Sequence, residues 1–267
     1  MRILFAADEH SYSTDALPQV ARLGENTWAD ITLLGVSNQS KAMADIVNTY
    51  YKKLSEYFDP KLSPYQQSRS EGNMKTGIHK QITTRIRRGN PSREILEEAK
   101  KAECDLIVIG CSTQKDYTWK DAGDVPLKVA KDADCSVLVI KEDKKINKML
   151  CCLDHDNISQ ESLEMVSQMI TLFHADLDIV VLTDSEDVQG KIEKKLSWLI
   201  DYYSTRDIFP CIELVKLTNL ETFVSRKVRW GLMAMWMGKK SILERVFPSS
   251  KVSRLLKANE SSVLLLR

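Results

Sequence analysis

The sequence lacks any apolar run long enough to cross a membrane: the longest, Trp230 to Met237, has eight residues, where a span needs about twenty. The opening Met1-Arg2-Ile3-Leu4-Phe5 meets Asp8 too soon for a secretory leader, so no membrane partner is expected. An excess of one charge is missing too. Against 38 Lys plus Arg stand 37 Asp plus Glu, a net charge of +1, which excludes the basic surface of a dedicated nucleic-acid binder; no acidic tail occurs. The six cysteines form no C-x-x-C pair and lie mostly in apolar strand-like runs. That pattern reads as reduced, buried thiols and a cytoplasmic protein. His10, His79, His155 and His174 stand in no ligand spacing with cysteine or with each other, so no metal is expected. No G-x-S-x-G, H-E-x-x-H or G-x-G-x-x-G occurs, which removes the usual carriers of hydrolase, zinc-protease and dinucleotide-dependent oxidoreductase chemistry.

What is present is ordinary for a folded chain: 43% hydrophobic and 28% charged residues over a length of 267, enough for two domains of roughly 130 residues. An internal repeat supports that division. Sliding the chain by 146 places Leu4, Asp8, Ser13, Leu17, Val20, Ala29 and Asp30 on Leu150, Asp154, Ser159, Leu163, Val166, Ala175 and Asp176. A shift of 128 puts Ile86, Ile95, Ile107 and Gly110 on Leu214, Phe223, Met235 and Gly238, so the second copy is 18 residues shorter in its middle. The expected domains are 1–142 and 146–267, joined by a charged linker within Lys141 to Lys145.

Within each copy strand and helix periods alternate. Ile3 to Ala7 is an apolar strand; Ser13-Thr14-Asp15 offers helix caps ahead of apolar positions 17, 20, 21 and 24. Strands follow at 31–36, 82–87, 106–109 and 137–140, with helices between them and a long loop over 59–81. Pro91 suits a helix start. The second copy repeats the order through strands at 149–153, 177–182, 212–215, 232–237 and 263–266. Near-continuous apolar strands alternating with helices predict an α/β fold, a parallel sheet covered on both faces. Its ligand place is the crevice at the carboxyl ends of the strands, where strand order reverses.

Four blocks, in order, resemble the universal stress protein family: Ile3 to Asp8, Arg87 to Ala99, Asp105 to Gly110 and Ala133 to Ile140. The second copy keeps a weaker version. The resemblance implies two tandem Rossmann-like domains, each a five-stranded parallel sheet of order 3-2-1-4-5, with a nucleotide site at the ends of strands 1 and 4. Family members that bind ATP carry G-x2-G-x9-G-[S/T] after strand 4, where glycines admit phosphates to backbone amides. Here Gly110 is followed by Thr113 in place of the second glycine, then by Gly123 and Asp124 in place of glycine and a hydroxyl. Thr113 costs roughly 1 to 2 kcal/mol if its position is left-handed. Asp124, placed about 4 Å from a phosphate charge, repels it by about 4 kcal/mol at an effective dielectric of 20. ATP or another adenine nucleotide is therefore expected to bind weakly.

Asp8 and Asp154 end the first strand of each copy. Each is either a hydrogen-bonding partner for a ribose or base, or a cap on the loop and helix that follow. Val36 stands where family members offer main-chain groups to adenine. In the second copy Gly238 is followed by Lys239, Lys240 and Ser241, and Ser249-Ser250 replaces the later glycine-hydroxyl pair. With Asp154 these form a candidate anion site, although Gly-Lys-Lys-Ser is no Walker loop, because Met233 stands where its first glycine would. Val137 to Ile140 and Val263 to Leu266 are apolar fifth strands that would be open edges, so the copies are expected to pair through them as a pseudo-dimer. A homodimer of the whole chain and a protein partner also fit the family. The function that follows is a non-enzymatic stress-response binding module with an altered nucleotide site. An adenine-nucleotide-responsive switch is the alternative, and a weak ATPase the third reading.

Overall fold

In a computed structural model the chain divides into two compact units, Met1–Asp143 and Lys144–Arg267. The structure describes residues 1–26, 29–38, 40–58, 81–112, 125–141, 146–154, 159–183, 189–220, 222–223, 231–236 and 261–267. The 59–81 loop lies almost wholly outside them.

The first unit runs β1 (Arg2–Ala7), α1 (Ser11–Asn26), β2 (Asp30–Val36), α2 (Ser40–Phe58), β3 (Ile82–Arg87), α3 (Pro91–Lys101), β4 (Leu106–Cys111), α4 (Val125–Asp132) and β5 (Ser136–Lys141). Its strands lie in the order β3-β2-β1-β4-β5, every pair parallel. The residues of β1 from Ile3 to Ala7, and all of β5, are buried, as a sheet covered on both faces requires. Right-handed crossovers put α1 and α2 on one face; reversal of direction after β3 puts α3 and α4 on the other. Packing of α1 on α2 and of α3 on α4 agrees. The inward stripe of α2 is Met43, Val47, Tyr50 and Leu54, at alternating steps of four and three.

Two local devices fix α3. Gly89 holds φ at +138°, a region open to glycine, and turns the chain out of β3. Asn90 then caps the helix by accepting from the Arg93 amide at 3.3 Å, with Pro91 at the first helical position. Arg87, ending β3, donates from Nε to Glu98 at 2.7 Å and from a terminal nitrogen to Glu94 at 3.1 Å. The buried Glu98 is thereby neutralised, and α3 is tied to the strand it follows.

The second unit runs β6 (Lys148–Asp154), α5 (Gln160–Phe173), β7 (Asp176–Thr183), α6 (Gln189–Ser204), β8 (Cys211–Lys216), a 3-10 turn (Leu217–Asn219), β9 (Leu232–Trp236) and β10 (Ser262–Leu266). Its order β8-β7-β6-β9-β10 is that of the first unit, and these strands too pair in parallel. Ser159 caps α5, accepting from the Ser162 amide at 3.1 Å, and His174 ends it in a left-handed conformation.

Two expectations change. The helix after β1 starts at Ser11 rather than behind Ser13, which places Ser13 inside the first turn, where it serves Asp8 instead of capping. Not every thiol is buried: Cys104, Cys151 and Cys152 are, Cys111 and Cys135 are half-buried, and Cys211 is exposed. Cys211 opens β8, the end strand of its unit's sheet on the side away from β10, where among the described residues it pairs with β7.

Candidate functional site

The switch point of the first unit lies between β1 and β4, the two strands whose connections leave in opposite directions. Register brings the expected residues to one level. Ala7 pairs with Gly35 and Ala6 with Ile109; one residue further along, Asp8 stands level with Val36, and Gly110 with Ala7. Asp8, Val36 and Gly110 therefore gather at the carboxyl ends of adjacent strands.

Asp8 is 6% exposed, and its carboxylate is held by the turn that follows it. Oδ1 accepts from the Ser13 hydroxyl at 2.7 Å and from the His10 amide at 3.1 Å. Oδ2 accepts from the Tyr12 hydroxyl. Ser13 Oγ in return accepts from the Asp8 amide at 3.1 Å. The Asp8 carbonyl takes the Tyr50 hydroxyl of α2 at 3.1 Å, and Thr14 Oγ1 lies 3.2 Å from that same hydroxyl. A buried carboxylate is tolerable where donors replace its lost water, and here three of its roughly four acceptor positions are filled from within the protein.

Tyr12 is 1% exposed and its ring lies 5.2 Å from that of His10 at 36°. Burial, reinforced by the neighbouring Asp8 charge, raises its phenol far above the usual range, so it remains a donor at any physiological pH. Burial likewise raises Tyr50. Gly110 completes the arrangement: a Cβ there would lie 2.5 Å from the Tyr12 carbonyl oxygen and 3.0 Å from the Ser13 nitrogen. The absence of a side chain at the end of β4 is what lets the first turn of α1 close over it.

Chemically the described part of this strand end is a buried, hydrogen-bonded carboxylate. It is an acceptor already in use, not a free base. Thr113, Gly123 and Asp124, the candidate phosphate contacts, lie outside the described residues. So do Gly238, Lys239, Lys240, Ser241, Ser249 and Ser250 of the second unit. Asp154 ends β6, paired with Leu182, at the place Asp8 takes in the first unit. Among the described residues no group of three or more His, Cys, Asp or Glu could hold a metal, and no helix is long and apolar enough to cross a membrane.

A second concavity, of about 320 Å³, lies at the opposite, amino ends of β4 and β5, floored by Leu96, Ala99, Cys104, Ile107, Ala133 and Cys135. Burial pushes the Cys104 thiol up to about 12, so it is a packing group rather than a nucleophile. The residue that pattern reading missed is Tyr12. It continues the buried stripe of α1, with Ala16, Val20 and Leu23, and stands four residues beyond Asp8; those two spacings are the signal that marks it.

A parallel sheet of order 3-2-1-4-5, present in both units, defines a Rossmann-like α/β fold. The model of the universal stress protein family matches residues 1–141, and the chain belongs to that family. A curated relative, universal stress protein MJ0531 of Methanocaldococcus jannaschii, is 29% identical over 134 residues, 50% of this chain and 64% of that protein. The matched stretch thus spans just under two thirds of the relative's length. Among solved structures, a universal stress protein from Archaeoglobus fulgidus shares the fold with a TM-score of 0.64 at 13% identity, over 100% of this chain and 98% of its own. A structure from Pseudomonas aeruginosa UCBPP-PA14 does so with a TM-score of 0.67 at 17% identity, over 99% and 92%.

Proposed function

We propose that the chain is a cytoplasmic, non-enzymatic regulatory module whose first unit takes adenine nucleotides weakly, with fewer phosphates preferred, while the second unit serves mainly as a structural partner. The observation that carries this reading is the state of Asp8. At the mouth of the sheet the carboxylate best placed to activate a water is buried and already accepts from Tyr12, Ser13 and His10. A general base must be free to take the proton it abstracts. Thr113 and Asp124, standing in place of the glycine and hydroxyl of the family motif, further disfavour a triphosphate. A site that can hold but not hydrolyse is a sensor or a docking element.

Calorimetric titration with adenosine, AMP, ADP and ATP, followed by chromatography of the nucleotide recovered, tests this reading. Affinity should fall as phosphates are added, with the ATP returned intact. Tightest binding to ATP, or steady ADP formation, would contradict it. We further propose that Val137 to Ile140 and Val263 to Leu266 pair with each other, since each is an apolar edge strand of its own unit's sheet and an open apolar edge invites a partner. Hydrogen exchange on the intact chain should then protect the backbone amides of both strands equally, and rapid exchange in either would overturn the pairing.

A further inference from the structure

We infer that Tyr12 is a built-in occupant of the first unit's ligand mouth and the residue that sets which ligands enter it; this inference rests on the nucleotide-binding reading above. A base amino group or ribose hydroxyl that sought the end of β1 would need a lone pair on Asp8. Three of its roughly four acceptor positions are taken, two on Oδ1 and one on Oδ2 by the Tyr12 hydroxyl, and with Asp8 6% and Tyr12 1% exposed a ligand reaches Oδ2 only by moving the phenol. The Ser13 and His10 bonds tie Asp8 to the turn that leads into α1. The phenol differs: it donates to Oδ2 alone, from a longer side chain than that of Ser13, and supplies the kind of donor that a ligand hydroxyl or amino group would bring.

Tyr12 therefore competes with the ligand for one acceptor. Ligands that bring a strong donor must displace it, and those that can use main-chain groups at Val36 need not. The 146-residue shift places Ile158, whose side chain has no donor, on Tyr12, so the sequence does not repeat the device in the second copy.

Tyr12→Phe keeps the ring against His10 and removes only the hydroxyl. It leaves Oδ2 under-satisfied in a buried setting, a deficit that a ligand donor would relieve. A hydrogen bond to a charged group is worth a factor of roughly ten to a hundred in affinity, and adenosine should bind Tyr12→Phe tighter than wild type by about that factor. The gain should vanish in Tyr12→Phe combined with Asp8→Asn. Calorimetry on the three chains with adenosine and with AMP reads it. Measurable wild-type binding left unchanged or weakened by Tyr12→Phe overturns the inference and leaves the nucleotide reading standing; no binding by either chain overturns both. Where Tyr12→Phe shows no cooperative melt, carbon-13 labelling of the tyrosines in wild type decides. Saturating adenosine should move the Tyr12 resonance, and an unmoved resonance overturns displacement.

Discussion

Gly110→Ala separates two reasons for a glycine at the end of β4. If that residue serves a ligand's approach, adding a methyl group costs binding and little else. The structure gives it a different duty. The new Cβ would lie 2.5 Å from the Tyr12 carbonyl oxygen and 2.8 Å from its carbon, both backbone, whereas real Cβ contacts below 3.0 Å are essentially never seen. Relief needs the first turn of α1 to retreat by at least about 0.5 Å. Overpacking alone costs about 1 to 3 kcal/mol. The same movement lengthens the bonds from Tyr12 and Ser13 to the buried Asp8 charge, each worth roughly 1.5 to 3 kcal/mol when intact. A loss of about 3 to 5 kcal/mol follows. Gly35→Ala is the control, since its Cβ would meet the side chains of Met43 and Val47, both at 2.6 Å, and the Met43 chain can move; its cost should be about 1 to 2 kcal/mol. Urea denaturation followed by circular dichroism measures both, and hydrogen exchange over β1 and β4 assigns the loss to the first unit. Gly110→Ala within about 1 kcal/mol of wild type, but with nucleotide binding lost, would refute the packing argument.

Three further outcomes follow from the same geometry. Asp8→Ala strands three donors and should cost about 3 kcal/mol or more, while Asp154→Ala should leave binding of any nucleotide unchanged; thermal melts beside calorimetry check both, and loss of binding by Asp154→Ala without loss of stability would make the second unit the working site. Cys211 is exposed whereas burial pushes Cys104 and Cys152 up to about 12, so a disulfide reagent at pH 8 should modify Cys211 in the native chain and reach Cys104, Cys151 and Cys152 only on unfolding, as mapped by peptide mass spectrometry. Stability should fall steeply in alkali, because Cys104, Cys151, Cys152, Tyr12, Tyr50 and Tyr203 are all raised above their ordinary values of 9.0 and 10.0. The native state holds these protons more tightly than the unfolded chain, so its advantage is complete below about pH 9 and drains away as pH rises through 9 and 10; urea midpoints that stay flat from pH 8 to 11 would contradict it.

The fold was legible because its strands are nearly unbroken apolar runs. Ile3 to Ala7, Val137 to Ile140 and Val263 to Leu266 admit little but buried strands once helical stretches separate them, and the repeat of Leu4, Asp8 and Ser13 at Leu150, Asp154 and Ser159 gives the same order twice. The site was legible only as far as strand ends. Asp8, Val36 and Gly110 could be placed because register carries them to one level, but what Asp8 does there depends on a turn of five residues. Ser13 reads as a cap by type, and becomes an Asp8 partner because α1 begins two residues earlier, at Ser11. Tyr12 reads as one more residue of a buried helix face, and only its place four residues beyond Asp8 hints at the hydroxyl bond between them. Cys211 misled for the opposite reason: a strand-like neighbourhood does not say which strand is outermost.

The proposed nucleotide site of the first unit, altered at Thr113 and Asp124, is tested most directly by calorimetry with ATP on wild type and on the chain carrying Thr113→Gly with Asp124→Ser. Removing a repulsion of about 4 kcal/mol should raise ATP affinity by about a hundredfold or more and leave adenosine affinity where it was. An unchanged ATP affinity in the double variant would show that Thr113 and Asp124 do not govern ATP binding.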